Sequence, residues 1–236
     1  MNNIFEPEKS TKKQGMRESY EARRLFDPDC TIISNSAYNA IIGIAIAIGF
    51  VVNFVMAYNF TSAILSIPIV AVIIAYFILS FVGMYVVHKS SSAFVSAVGF
   101  LCLVVGMGLL LTFFLNTYEL SSVYLAFGIT AGITVLMTIL ASIFPDFFMS
   151  IGKTLMISLI ICIIVEVICS FFFRGALQIL DYVVILLFCG FIGFDWARAQ
   201  KYQKTVNNAI DAAADIYVDI VNVLIRVLEI VGKSKN

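Results

Sequence analysis

Seven apolar runs, each about 20 residues or a little longer, fill the chain from residue 37 to residue 231 and restrict the fold more than any other feature. They lie near 37–58, 63–87, 93–115, 122–144, 150–173, 176–197 and 208–231. A membrane-crossing helix needs roughly 20 mostly apolar residues, whereas barrel strands would show alternating segments of about 10. The breaks carry turn chemistry: "NFTS", "HKSSS", "NTYELSS", "PDFFMS" and "RG". Hydrophobic residues make up 61% of the chain and charged residues 13%, too little polar surface to cover a soluble globule. The expected fold class is therefore an all-α membrane protein of seven transmembrane helices, with its place in a lipid bilayer.

Residues 1–36 are charged and mixed in sign, with no short apolar core before a small-residue cleavage site, and read as a cytosolic tail and not a signal peptide. Residues 37–232 form one seven-helix domain and 233–236 a short end. With the amino terminus inside, Lys9, Lys12, Lys13, Arg17, Arg23, Arg24, Lys89, Lys153, Arg198, Lys201 and Lys204 collect on the inner side, against Arg174, Arg226, Lys233 and Lys235 toward the outer side. Seven helices then place the carboxyl terminus outside. Zero formal net charge and the absence of a basic patch exclude nucleic acid as a partner. Cys30, Cys102, Cys162, Cys169 and Cys189 form no CxxC pair and, with His88 as the one histidine, offer no recognisable zinc spacing; they read as packing residues.

The last run departs from the others. Asn208, Asp211, Asp215, Asp219, Asn222, Arg226 and Glu229 recur every three or four residues and line one helix face, opposite alanine, isoleucine, valine and leucine. A charge near the bilayer centre costs about 2.5–3.5 kcal/mol on insertion scales, so this face cannot meet lipid and the helix belongs inside the bundle. The sixth run ends in "FIGFDWARAQ", where Asp195 interrupts apolar sequence beside Trp196, the only tryptophan. Residues 195 and 219 are equidistant from 207, and a turn at Asn207–Asn208 would bring both aspartates to one depth about 18 Å from that turn. Two close carboxylates in a low-dielectric site tend to share one proton, so the pair is a candidate proton sensor or, when ionised, a site of hard oxygen ligands for a cation. A purely structural hydrogen bond between two helices stands beside that reading. Trp196 and Arg198 are expected to locate the helix near the cytosolic face.

The run "YLAFGITAGITVLMTILASIFPDFFMSIGKTL", the "FDWARAQ" and the closing "AADIYVDIVNVLIRVLEIVG" resemble the Bax inhibitor-1 family of membrane proteins over about residues 37 to 232. The AF-x-x-TA of the fourth run and an aspartate in each of the last two fall in order. The resemblance implies seven helices with the last helix central in the bundle. It also implies a calcium leak of a cell membrane, in bacterial members the plasma membrane, gated by a di-aspartyl pH sensor carried here by Asp195 and Asp219. Bacterial members have a latching arginine near the inner end of the second helix. The corresponding "FVGMYVVHKSSSAF" has none, which leaves His88 or Lys89 as substitutes or as ordinary interfacial cations.

The resulting expectation is a passive, proton-gated path with calcium as the permeant ion, no tightly bound cofactor and no catalysis. Asp195 and Asp219 are its sensor and candidate calcium ligands, and Asp215 and Asp211 extend it toward the cytosol. Glu166 either lines the path or bonds a neighbouring helix, and Arg226 with Glu229 forms an ion pair or a snorkelling interface. Asp146 is expected to cap the fifth helix and Asp181 to lie at the outer interface. Glycines in "GFLCLVVGMG" and "GITAG" permit close helix packing. Oligomeric state is left open, and a monomer is compatible. A proton-coupled secondary transporter and a scaffold that regulates partner proteins remain as alternatives; an intramembrane hydrolase lacks a nucleophile motif.

Overall fold

A computed structural model of the chain describes residues 24–25, 30–172 and 177–234. The basic residues Lys9, Lys12, Lys13, Arg17, Arg23, Arg174 and Lys235 lie outside the described residues, as does most of the 1–36 tail. Eight helices follow in order among the described residues: α1 (Asn35–Asn59), α2 (Thr61–Leu65), α3 (Ile69–Lys89), α4 (Ala93–Thr117), α5 (Leu120–Ile143), α6 (Pro145–Phe172), α7 (Leu177–Lys201) and α8 (Val206–Val231). The run expected at 63–87 is divided. Pro68, which lacks an N–H and fixes its own φ, stands at the start of α3, and the preceding residues form the one-turn α2.

Six of these helices, α1 and α3 to α7, are long and apolar enough to cross a membrane, so the expected seven apolar spans are six. Of the other two, α2 is too short, and the charged stripe of α8 lowers its hydropathy. Bulky apolar side chains such as Phe54, Phe81, Tyr124 and Leu186 are exposed around the six, as lipid-facing surfaces require. The protein is an all-helical, multi-pass membrane protein.

Helix α8 is packed by α1, α3, α4, α5 and α7, with α6 outside on α7. Eighteen of its 26 residues are buried, so it is an inner helix surrounded by the others. Ala209, Ala212, Ala213 and Ala214 let the neighbouring backbones approach closely, while Tyr217, Val221, Leu224 and Leu228 fill the widest gaps. Thr205 caps the helix by accepting from the Asn208 N–H at 3.1 Å, and Gly232 closes the far end. The turn between α7 and α8 therefore occupies residues 202–205, not Asn207–Asn208. Thr205 takes the cap, and the asparagines fall inside the first turn of the helix.

Those asparagines instead anchor the first turn of α8. Asn207 accepts from Ser96 Oγ at 2.8 Å and donates to the Ser90 carbonyl, while Asn208 Nδ2 donates to the Gln203 carbonyl at 2.9 Å. Tyr38 of α1 donates to the Ala199 carbonyl at 3.1 Å, tying a third helix to the same end. Helices α3 and α4 cross where Gly83 faces Gly99, and a Cβ at Gly83 would lie 2.6 Å from the Gly99 carbonyl oxygen. That crossing sets how near His88, one and a half turns further along α3, comes to α8. Gly83→Leu should separate α3 from α4 and cost about 1–3 kcal/mol, read as a lower thermal midpoint in detergent; an unchanged midpoint would mean that the crossing tolerates the side chain.

Candidate functional site: two ionic clusters along the buried helix

The inner end of the bundle holds four aspartates. Asp211, Asp215 and Asp219 project from α8 and Asp195 from α7, and all four are buried. Although the turn is centred nearer 203 than 207, Asp195 and Asp219 still meet at hydrogen-bonding range. Side chains lean toward the amino end of their helix, so in this antiparallel pair Asp195 leans away from the turn and Asp219 toward it. Asp219 Oδ2 has no hydrogen-bond donor among the described residues. A buried carboxyl oxygen without a donor is costly, and a proton held between the two carboxyls relieves that cost.

Arg198, expected only to mark the membrane face, is the main cation of the cluster. Its Nη2 lies 2.7 Å from Asp195 Oδ1 and 2.7 Å from Asp215 Oδ2, and its guanidinium stacks over the Phe194 ring. The i,i+3 spacing of Asp195 and Arg198 was the available signal, because that spacing places both on one helix face. His88 Nε2 lies 2.8 Å from Asp215 Oδ1, so α3 reaches the acidic stripe through histidine. Lys89 does not take that role. It turns to the exposed side, where Nζ donates to Tyr85 Oη at 2.6 Å, because the next residue on a helix points about 100° away. Asp215, not the Asp195–Asp219 pair, is thus where three helices are joined.

Asp211, the expected cytosolic extension of the stripe, has 0% side-chain exposure and is paired with Arg24 at 3.1 Å. Burial disfavours charge on Arg24, but Asp215 and Asp211 outweigh it and raise its pKa above the ordinary arginine value. Beside it, burial pushes the Tyr202 hydroxyl up. The inner cluster as a whole sets four carboxyls against two guanidiniums and one imidazole.

A second cluster stands at the opposite end. Arg226 of α8 contacts Glu166 of α6 at 2.6 Å, Asp181 of α7 at 2.8 Å and Glu229 at 3.1 Å. Glu166, Arg226 and Glu229 thus belong to one group. Asp181, expected at the outer interface, is buried within it, because Arg226 offers several donors in a fixed fork. Asp146 lies in the first turn of α6 with an exposed side chain 3.8 Å from Lys201 and does not cap the helix, which already begins at Pro145. Among the described residues no three of the His, Cys, Asp and Glu side chains converge as a metal-holding group.

The family model described as "Inhibitor of apoptosis-promoting Bax1" matches residues 32–236. The chain belongs to the Bax inhibitor-1 family. Comparison with curated proteins and with solved structures returns no match. For this Bax inhibitor-1 family protein, the whole of α8 and both ionic clusters, apart from Arg24, lie inside the matched span.

Arg198→Ala leaves Asp215 with His88 as its direct ion-pair partner among the described residues and Asp195 without a paired arginine. It should lower stability by roughly 2 kcal/mol, because an unpaired buried carboxylate is worse than none. Adding Asp215→Asn should recover part of that loss in thermal unfolding. A double variant no more stable than Arg198→Ala would show that the ion pair is not what holds α7 to α8.

Proposed function

We propose that this protein is a pH-sensitive leak for calcium, and that the Asp195–Asp219 pair is its proton sensor. The observation that carries the reading is the buried Asp219 carboxyl, which faces Asp195 and has an oxygen with no donor among the described residues. Such a pair is stable with one proton between the two groups. Without that proton it becomes two negative charges at short range in a low-dielectric setting, and their repulsion acts directly on the contact between α7 and α8.

In this reading α8 is the seventh crossing, carried through the membrane inside the other six. Its 26 residues span about 39 Å at 1.5 Å each, longer than a hydrocarbon core of about 30 Å. The amino terminus is cytosolic: among the described residues Lys89, Lys153, Arg198, Lys201 and Lys204 gather at the inner end, with Arg226 and Lys233 toward the other. The carboxyl terminus then lies outside.

Arg198 and His88 form the latch that the family places on a second-helix arginine. Arg198 bridges Asp195 to Asp215, and His88 adds α3 to the same carboxylate. When the latch loosens, Asp195, Asp219 and Asp215 offer a calcium ion some of the oxygen ligands it requires, and water completes the six to eight. Arg226, holding Glu166, Asp181 and Glu229, closes the outer end. No covalent step is involved: the ion moves down its gradient, and one chain supplies every group named.

Calcium flux into proteoliposomes, measured across a range of pH, tests the sensor. Wild type should show a clear pH dependence. Asp195→Asn and Asp219→Asn, each leaving one carboxyl to titrate alone, should flatten it several-fold, while Glu119→Gln on the exposed α4–α5 link should leave it intact. An unchanged profile in both aspartate variants rules the sensor out.

A further inference from the structure

The chain before α1 comes back to the inner end of α8 and closes it. Arg24 places its guanidinium 3.1 Å from the wholly buried Asp211, donates to Tyr202 Oη at 3.2 Å and stacks over the Tyr202 ring at 5.2 Å from its centroid. Its carbonyl accepts from the Gln203 N–H at 2.9 Å and from Asn208 Nδ2 at 3.1 Å. The Arg24 side chain is itself only 9% exposed. Further along, the Ile33 N–H donates to the Lys204 carbonyl at 2.8 Å, so two described residues ahead of α1, Arg24 and Ile33, each meet the α7–α8 turn.

Asp211 is the carboxylate of the α8 stripe nearest that end, one turn below Asp215. An ion passing between Asp215 and the inner face would meet Asp211, and there it would meet a fixed guanidinium. A cation is repelled by that charge, and the carboxylate that would attract it is already neutralised. The contact also differs in kind from the Arg198–His88 latch. It holds no two spanning helices together; it sets a separate piece of chain over the end of the polar stripe.

We propose that Arg24 is an autoinhibitory inner plug, the group that occupies Asp211. The charged groups around Arg24 are Asp211 and Asp215 of α8, with Tyr202 of the turn beside them. Release of Arg24 exposes Asp211 to the cytosol as an acceptor for cations and restores a continuous line of carboxylates from Asp211 through Asp215 to Asp219. The plug's effect on flux rests on the leak reading; the contact itself does not.

Two readouts on the full chain keep these apart. In wild type, backbone amides over residues 203–211 should exchange slowly with deuterium in lipid nanodiscs, and in Arg24→Ala they should exchange markedly faster. Calcium flux into proteoliposomes at one fixed pH should rise several-fold in the same variant. Arg24→Lys, which keeps the charge but loses the fork, should fall between. The exchanged pair Arg24→Asp with Asp211→Arg should return both readouts toward wild type. If Arg24→Ala fails to give a monodisperse protein with native Trp196 fluorescence, the lysine variant and the exchanged pair carry the test. Unchanged amide exchange overturns the plug. Faster exchange without increased flux, in vesicles where wild type leaks, overturns the autoinhibition. If no protein leaks, wild type included, the leak reading falls and the autoinhibition with it, while amide exchange alone decides whether the contact exists.

Discussion

A helix that carries three aspartates, an arginine and a glutamate cannot face hydrocarbon, and that exclusion organises the bundle around α8. Lipid is as apolar as leucine, so hydrophobic burial gives no reason for the other helices to gather. The reason is supplied by the stripe, whose groups must find partners within the protein. Helices α3, α6 and α7 each contribute such a partner, in His88, Glu166, Asp181, Asp195 and Arg198. Small residues on α8 and α4 then allow the backbones close enough for short side chains such as aspartate to reach.

The two ends of α8 are held by opposite logic. At the outer end one arginine gathers three acids, a compact arrangement in which a single cation fixes three helices. At the inner end four acids face two guanidiniums and one imidazole, so no single cation fixes them all. Between them the stripe is thin. Asn222 donates back to its own helix at the Val218 carbonyl, and Tyr217 is held from the side by the Asn53 amide. The stripe therefore has a compact ionic cluster at each end and few charged contacts between them.

Much of this was legible in the residue order. The stripe appears at three- and four-residue spacing, the six apolar helices appear as runs, and the meeting of Asp195 with Asp219 follows from a symmetric count. The count assumed a turn at Asn207–Asn208, whereas the turn lies at 202–205, and the two aspartates come together although they stand at unequal distances from it. What went unread were the partners. Arg198 looked like an interfacial anchor because arginines at membrane ends usually are, and Asp181 looked interfacial for the same reason. Asp181 has no local pattern that distinguishes snorkelling outward from bonding inward, and Arg198 had only its i,i+3 spacing from Asp195. Pro68 did carry a local signal, and it divides the second run as its missing N–H demands.

The sequence by itself determined that the chain is a helical membrane protein, that its last helix has a polar face that must be enclosed, and that it belongs with proteins carrying an aspartate in each of the last two helices. Those conclusions rest on periodicity and transfer energy, both properties of neighbouring residues. Only the tertiary structure decided that Arg198 and His88 converge on Asp215, that Arg226 gathers Glu166, Asp181 and Glu229, and that Arg24 covers Asp211. The reason is physical. A charged side chain inside a bundle is stabilised by whichever opposite charge the crossing of helices brings within about 3 Å. That crossing is set by glycines and alanines such as Gly83, Gly99, Ala212 and Ala213, which let helices distant in the chain approach one another.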